Sequence, residues 1–342
     1  MTAPTTVDAD LADMMSAVFS QYRDKNEAAE GTAVWDVTLW DQLTELGLVR
    51  LTGSEISGGS GAGWAEAAEL LRAAARNGVH VPLAEHDLLA CWLLESAGLP
   101  VDDARRTACL LDSNGIARNT PWAAQAEQVV TVWPDAGTFR VADVQTSSLS
   151  ITPGINRAGE PRDTVTADTA TLTGTPVPDS LIDQFNLRGA LIRGLQMCAA
   201  LDRILELSIT HTIERVQFGR PLSKFQAVQH LVADIAAEAS LARASTEAAL
   251  AEAIRTDWSS TNLDFLIAAA RSCAGHAASV VVRNAHQVHG AIGTTREHPL
   301  HEFTQPALAW RSEFGSVHHW DDKLTTAALA AGPEDLWTLI TA

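Results

Sequence analysis

The spacing of apolar residues divides the chain into three stretches, of which the first is helical. Apolar side chains recur every three to four positions, as in the series Leu11, Met15 and Val18, and this period is typical of helices with one buried face. The predicted helices cover residues 8–29, 36–47, 62–77 and 84–97. We therefore predict an N-terminal helical domain over residues 1–106.

From about residue 107 the apolar residues occur in short segments separated by Gly, Pro, Asp and Ser. Such segments, rich in Val and Thr, are typical of strands. The predicted strands cover residues 107–111, 128–133, 138–143 and 164–173. Pro176 and Pro178 follow them, and we predict a reduced middle β domain over residues 107–180.

The remainder of the chain again has the helical period. Three long helices are predicted over residues 187–213, 223–256 and 261–290, and a fourth should follow Gly315. Because the connections are short, neighbouring helices should be antiparallel, which favours a four-helix bundle. The predicted fold class is therefore α+β and mainly α, with a C-terminal helical bundle over residues 181–342.

A glycine-rich stretch, residues 57–63, lies between the second and third predicted helices. It invites a phosphate-loop interpretation, but no strand precedes it and the Lys-Ser/Thr pair of such loops is absent. We interpret it as an interhelical turn whose glycines take positive φ angles.

Charge limits the classes of ligand. The formal net charge is −18 at pH 7, which opposes nucleic-acid binding because the phosphate backbone attracts positive charge. An anionic ligand would have to be held locally by Arg side chains and backbone N–H groups. The four cysteines are far apart in the sequence, so we predict neither a disulfide framework nor a metal site.

Hydropathy and the N-terminal residues favour a cytoplasmic protein. No run approaches the roughly 20 apolar residues that a membrane-spanning helix needs. The acidic residues Asp8, Asp10 and Asp13 stand where a signal peptide would be basic and then apolar.

The corner between the first two long C-terminal helices, residues 214–226, carries a notable set of side chains. Arg215 and Arg220 flank Phe218, and Gln226 lies in the first turn of the next helix, where free backbone N–H groups favour an anion. The set suits a ligand with a phosphate and a ring. The alternative is an ordinary helical corner whose Arg residues cap carbonyl groups and whose Phe is buried.

Three motifs carry a resemblance to a known family. Residues 214–219 read ERVQFG, residues 287–300 read QVHGAIGTTREHPL, and residues 57–61 read SGGSG. They resemble the ERxxFG corner, the QxxGGxGxxxExPL segment and the GGSG turn of acyl-CoA dehydrogenases. The resemblance implies the domain order predicted above.

The resemblance also implies FAD bound across a subunit interface. Carried over by position, Arg215 would meet the pyrophosphate and Phe218 would pack on the cofactor. Gln226 and Gln287 would hydrogen-bond the adenosine end, and Gly290 would allow close approach of the backbone. A guanidinium suits a diphosphate and an amide suits a neutral heterocycle. For Gln287 and Gly290, helix-end polar and C-cap roles are the alternative.

The sequence departs from the family at the catalytic base. The glutamate that removes the substrate α-proton in many members corresponds to Phe314 here, and Glu313 precedes it. One residue along the chain rotates a side chain by about 100°, so Glu313 is only a weak candidate for a displaced base. The alternative is a structural carboxylate, paired with Arg311. A second subset of the family has its base early in the first bundle helix, where this chain has Gly189.

The middle domain departs as well. Where the family has segments that line the flavin, this chain has residues 111–115 and 121–125, so we expect a degenerate flavin pocket. Trp122 could stack on a ring or be a core residue. Residues 310–315, WRSEFG, resemble the shortened partner subunits of heteromeric actinobacterial acyl-CoA dehydrogenases of steroid side-chain oxidation.

The resemblance therefore implies one subunit of a FAD-dependent acyl-CoA dehydrogenase, in an α2β2 heterotetramer with a larger catalytic subunit. Its substrate would be an acyl-CoA, for example a steroid side-chain CoA thioester. Three alternatives stay open: a self-sufficient enzyme that uses Glu313, a non-catalytic scaffold of the same fold, and a flavin-dependent oxygenase.

Overall fold

A computed structural model describes residues 7–26 and 31–341. These residues form two compact units, one up to Gly189 and the other from Ala190 onward. The fold is mainly helical with a small β region, as predicted. The finer division into domains 1–106, 107–180 and 181–342 stays a prediction.

The first unit begins with the predicted helices. Their bounds are α1 Ala9–Lys25, α2 Val37–Glu45, α3 Trp64–Arg76, and a π-helical segment Ala84–Cys91 that continues into α4 Trp92–Ser96. The Asp8 and Asp36 side chains accept hydrogen bonds from backbone N–H groups in the first turns of α1 and α2, which fixes where these helices begin. The predicted extension of the first helix over residues 27–29 lies outside the described residues.

The glycine-rich stretch between α2 and α3 is a structural turn, as predicted. Gly58 and Gly61 have φ angles of 81° and 66°, a backbone conformation that glycine adopts at little cost. The buried Arg50 guanidinium donates to Ser57 Oγ and forms an ion pair with Glu95 at 2.7 Å. These contacts fix the turn from within the protein.

The β region consists of two sheets with strand orders β1-β3-β4-β7 and β2-β6-β5. The strand bounds are β1 Arg106–Leu110, β2 Ile116–Pro121, β3 Gln128–Asp135, β4 Thr138–Gln145, β5 Ser150–Thr152, β6 Arg162–Thr166 and β7 Thr175–Val177. Strands β1 and β3 are parallel, and the other pairs are antiparallel. Their inward side chains, among them Val129, Trp133 and Val165, form a common core.

The strand prediction for residues 164–173 was wrong in its second half. The strand ends at Thr166, and the Asp168 side chain then accepts a hydrogen bond from Ala170 N while Thr171 Oγ1 donates to Asp168 O. This local turn replaces the ladder that the alternating threonines suggested. The prediction also missed β2, β5 and β7, of which β5 and β7 have only three residues each.

Long helices dominate the second unit. Helix α5, Asp179–Glu214, enters it at Ala190; α6 Gln226–Thr256, α7 Leu263–His289, α8 His301–Trp310 and α9 Val317–Thr341 follow. The four long helices α5, α6, α7 and α9 were predicted. Helix α8 was not, because Pro306 lies inside it and proline normally argues against a helix interior.

Among the described residues, one helical stretch, Leu263–Thr294, is long and apolar enough by length and composition to cross a membrane. Half of its most apolar window is buried inside the protein. A core helix packed against its neighbours has this property too.

Candidate cofactor-binding site

The predicted corner is a short hairpin at the end of α5. Strand β8, Val216–Gln217, pairs with β9, Arg220–Pro221. Phe218 and Gly219 form the turn with φ angles of 52° and 78°, the two positive values that suit a tight hairpin. The Phe218 side chain is 91% exposed, so the interpretation of this residue as core is wrong.

Helix α6 begins at Gln226, and a 3₁₀ turn, Leu222–Lys224, separates it from the hairpin. The Gln226 side chain is exposed, and no side chain caps the first turn of the helix. Neither Arg215 nor Arg220 hydrogen-bonds a carbonyl group among the described residues, so the capping alternative is wrong there; the Arg220 guanidinium instead lies 4.2 Å from the centre of the Phe225 ring. The corner therefore presents available donors at its surface.

Gln287 and Gly290 lie at the C-terminal end of α7. Gln287 is exposed in the last turn, and Gly290 follows the helix with φ 63° and ψ −142°. A Cβ atom at Gly290 would have no neighbour within 4 Å, so the backbone there is open to a close approach. The backbone angles require glycine.

A ring contact between His211 and His289 brings these two helix ends together. Their ring centres are 4.5 Å apart in a stacked arrangement. Because His211 lies one helical turn before Arg215, and His289 precedes Gly290, the structure gathers the predicted cofactor contacts at one end of the second unit. Leu222 N also donates to Arg215 O at 2.9 Å, which ties the 3₁₀ turn before α6 to the same corner.

The residues gathered at this end fit the ADP half of FAD. The exposed Arg215 has no acidic partner among the described residues and suits a diphosphate. Among the residues that the structure describes, the side-chain amides of Gln226 and Gln287 make no hydrogen bond. Each amide can donate a hydrogen bond to a heterocycle and accept one from it. Since the set lies on an open surface, a second chain would have to cover the rest of such a ligand.

The Glu313 carboxylate is held by a buried arginine. Arg193 Nε donates to Glu313 Oε2 at 2.7 Å, and the Arg193 side chain is only 2% exposed. The predicted ion pair with Arg311 was wrong, since the Arg311 guanidinium donates to Ser279 Oγ. Removing one member of a buried ion pair leaves an uncompensated charge and is destabilising, so the pair favours the structural role of Glu313 over that of a base.

A second buried arginine fixes the same turn. Arg271 Nη2 donates to the backbone carbonyls of Trp310, Arg311 and Glu313 at 3.1, 3.2 and 2.9 Å. Burial, with a contribution from the nearby Arg193 charge, lowers the pKa of Arg271 to about 10. The clamped turn includes Phe314, at the usual base position, with a φ of 54°.

Two further positions considered in the sequence analysis, Gly189 and Trp122, lie in the first unit. The Arg188 guanidinium, beside Gly189, lies 3.8 Å from the centre of the Trp92 ring. Trp122 is buried and packs edge-on against Trp35 at 6.3 Å. The core interpretation of Trp122 is therefore confirmed.

The structure also gathers three histidines that the sequence analysis did not single out. His211, His289 and His298 have ring nitrogens within 4.8 Å of one another. Burial lowers the pKa of His289 to about 4 and also lowers the pKa values of His211 and His298. These residues come from separate elements, and no local spacing in the sequence could have predicted the cluster.

Comparisons with known proteins agree with the motifs. Residues 183–316 match the family described as "Acyl-CoA dehydrogenase, C-terminal domain". The "Acyl-CoA dehydrogenase IpdE2" of Mycolicibacterium smegmatis is 30% identical over 287 residues, which cover 80% of this chain and 82% of that protein.

Two solved structures show the same fold. A chain of the "ChsE4-ChsE5 complex" from Mycobacterium tuberculosis superposes with a TM-score of 0.82 at 19% identity, covering 96% of this chain and 99% of that one. A chain of a "Tcur3481-Tcur3483 steroid ACAD" variant gives a TM-score of 0.81 at 21% identity, covering 94% and 98%.

Proposed function

The chain belongs to the acyl-CoA dehydrogenase family, and from this premise we propose that it is one subunit of a FAD-dependent acyl-CoA dehydrogenase. It supplies surface contacts to the ADP half of the cofactor, while a partner subunit supplies the catalytic base. One contrast carries the proposal. The cofactor corner is exposed and has an available guanidinium at Arg215, whereas Glu313 is committed to the buried Arg193.

The division of labour follows from the chemistry of the family. A carboxylate must remove the proton beside the thioester carbonyl; when bound, FAD would accept the hydride that leaves the β-carbon. This chain has phenylalanine at one usual base position and Gly189 at the other. Its own contribution is to hold the diphosphate with Arg215 and the adenosine end with Gln226 and Gln287.

The surface around the corner supports a protein partner. Large apolar side chains are exposed on the end of α5 and on the hairpin, namely Ile209, Ile213, Val216 and Phe218. Exposed apolar groups that lie close together commonly mark an interaction surface. We propose a larger catalytic acyl-CoA dehydrogenase subunit as the partner, in an α2β2 heterotetramer located in the cytoplasm.

The solved relatives support the same assembly and a substrate class. One is described as a complex of two proteins, and the other as a steroid acyl-CoA dehydrogenase built from a pair of proteins. We propose an acyl-CoA substrate of this kind, a steroid side-chain CoA thioester. The α,β-dehydrogenation would produce the corresponding enoyl-CoA.

The test is co-expression with a longer family member that has an intact base, followed by measurement of FAD per complex from the flavin absorbance. The wild-type complex should retain FAD, and the isolated chain should not. Arg215→Ala should weaken FAD binding tenfold or more, because hydrogen bonds to charged groups contribute about 1.5–3 kcal/mol. The matched control is Arg243→Ala, which removes another exposed arginine, paired with Asp202, and should leave FAD unchanged.

Three outcomes would contradict the proposal. Stoichiometric FAD and dehydrogenation by the isolated chain would favour a self-sufficient enzyme that uses Glu313. An Arg215→Ala complex with unaltered FAD would favour a scaffold without a cofactor role. Oxygen consumption coupled to substrate turnover would instead favour a flavin-dependent oxygenase.

A further inference from the structure

We propose that His211, His289 and His298 form a binding site for one divalent transition-metal ion of the zinc type. His211 lies in the last turns of α5, and His289 is the last residue of α7. His298 lies between the turn Gly290–Thr294 and α8. The site therefore joins three elements of the second unit, and it does not depend on the proposal for FAD.

The rings are close enough to share an ion. The centre of the His289 ring is 4.5 Å from that of His211 and 4.6 Å from that of His298, and the His211 and His298 centres are 5.9 Å apart. Zinc–nitrogen bonds of about 2.0–2.1 Å place tetrahedral ligand atoms roughly 3.4 Å apart. Since His211 and His298 are only partly buried, ring rotations would bring their nitrogens to that distance. In doing so His298 would give up the hydrogen bond that Leu300 N donates to its Nδ1 at 3.1 Å, and the bond to the ion would replace it.

His289 is already oriented as a ligand. Its Nδ1 lies 2.7 Å from the Ala285 carbonyl oxygen, which can only accept, so Nδ1 carries the proton and Nε2 has a free lone pair. His289 is 5% exposed, and its Nε2 has no hydrogen-bond partner among the described residues. A metal-bound histidine commonly donates its other N–H to a carbonyl in this way, and an ion would satisfy the buried nitrogen.

The ligand chemistry selects the class of ion. Three imidazoles with no carboxylate in the cluster suit zinc, copper, nickel or cobalt, whereas magnesium and calcium prefer oxygen ligands. The fourth position would be filled by water, because His211 and His298 are partly exposed to solvent.

An ion at this position would crosslink two helices. It would clamp the end of α5 to the end of α7, between Arg215 and Gly290. Both residues belong to the corner described above, so the clamp would hold their backbones in one arrangement before any ligand arrives. Pre-organisation of this kind reduces the ordering cost of binding.

The experiment uses the untagged full-length chain, freed of metal with EDTA and dialysed. Zinc binding is measured by equilibrium dialysis with elemental analysis, and Co²⁺ is used as a spectroscopic probe. We expect one zinc per chain and the visible absorption of tetrahedral Co²⁺. His298→Gln and His211→Gln should each weaken zinc binding at least tenfold and abolish the Co²⁺ band. Removal of even an outer partner of a metal ligand typically costs 10–100-fold.

The matched control is His318→Gln, which removes an exposed histidine that pairs with Asp322 and should leave one zinc bound. Circular dichroism of the metal-free variants checks their folding, and zinc should raise the Tm of the wild-type chain but not of the two site variants. Absence of zinc binding to the wild-type chain would overturn the proposal. So would unchanged binding in both folded site variants, or loss of binding in His318→Gln alone.

Discussion

At the scale of single residues, Asp87 gives the clearest prediction of a pH effect. Its buried Oδ2 accepts from Thr52 N and Thr52 Oγ1, both at 2.9 Å, while Oδ1 has no partner among the described residues. Burial raises the pKa of Asp87 to about 6. The folded chain therefore keeps a proton between about pH 4 and pH 6 that the unfolded chain has released, and the free energy of unfolding falls as the pH rises through this range.

Asp87→Asn removes this ionisation and keeps an oxygen acceptor for Thr52. The wild type loses stability as Asp87 ionises, and the variant does not. The unfolding free energy of the variant minus that of the wild type should therefore be about 2–3 kcal/mol larger at pH 7 than at pH 4. Urea denaturation at both pH values measures the difference. Asp103→Asn, at an exposed position, is the control and should show no comparable change. A constant difference between the variant and the wild type at the two pH values would contradict the raised pKa.

Residue-scale function was only partly accessible from the sequence. The corner of residues 214–226 is continuous in the sequence, so Arg215, Phe218 and Gln226 could be selected by their spacing. The partner of Glu313 could not be, because Arg193 lies 120 positions away and only the packing of α5 beside the turn after α8 brings the two together. The histidine cluster is hidden for the same reason.

At the scale of elements, the hairpin between α5 and α6 has an internal match in the hairpin between β3 and β4. Phe218 and Gly219 have φ angles of 52° and 78°, and Ala136 and Gly137 have 49° and 84°. A Cβ atom would meet no neighbour within 4 Å at either glycine. Both glycines therefore have a positive φ angle that other residues adopt only at a cost, but only Gly219 lies in the proposed cofactor corner.

Gly219→Ala and Gly137→Ala should each cost about 1 kcal/mol of stability, because alanine is disfavoured at positive φ. Only Gly219→Ala should also reduce FAD retention by the co-expressed complex, since it disturbs the hairpin that carries Phe218. Thermal unfolding and flavin absorbance measure the two effects. Equal FAD retention by the two variants would contradict a role of the hairpin in cofactor binding.

The prediction of helices and strands succeeded where the periodic pattern of apolar residues continues over a long segment. It failed where the position of the segment in the folded protein decides the structure. The helices α5, α6 and α7 extend over many turns, so their periodicity identifies them. Strand β7 contains Pro176, which is tolerated because this strand lies at the edge of its sheet. An edge position is a property of the assembled sheet, and the local sequence contains no sign of it. Helix α8, with Pro306, was missed for a similar reason.

At the scale of the whole molecule, two properties act on the binding of a partner in opposite directions. The formal charge of −18 repels other acidic proteins, and the exposed apolar side chains at the corner favour contact. A contact with an acidic partner would therefore gain its free energy from apolar burial and from local arginines. The exposed side chains beside Arg215 are the ones that a chain sharing the cofactor would cover first. Ile213, which is 58% exposed, lies two residues before Arg215 and serves as the probe.

Ile213→Lys should weaken the complex with the catalytic partner at least tenfold, because truncating or charging a central apolar contact commonly costs more than 1–2 kcal/mol. The stability of the isolated chain should change by less than about 0.5 kcal/mol, as for other surface substitutions. Ile56→Lys is the matched control, since Ile56 is a fully exposed isoleucine in the other unit. Affinity is measured by biosensor binding of the purified subunits and stability by thermal unfolding. If both variants bind the partner as the wild type does, the corner is not the interface, and the cofactor contacts must be completed elsewhere.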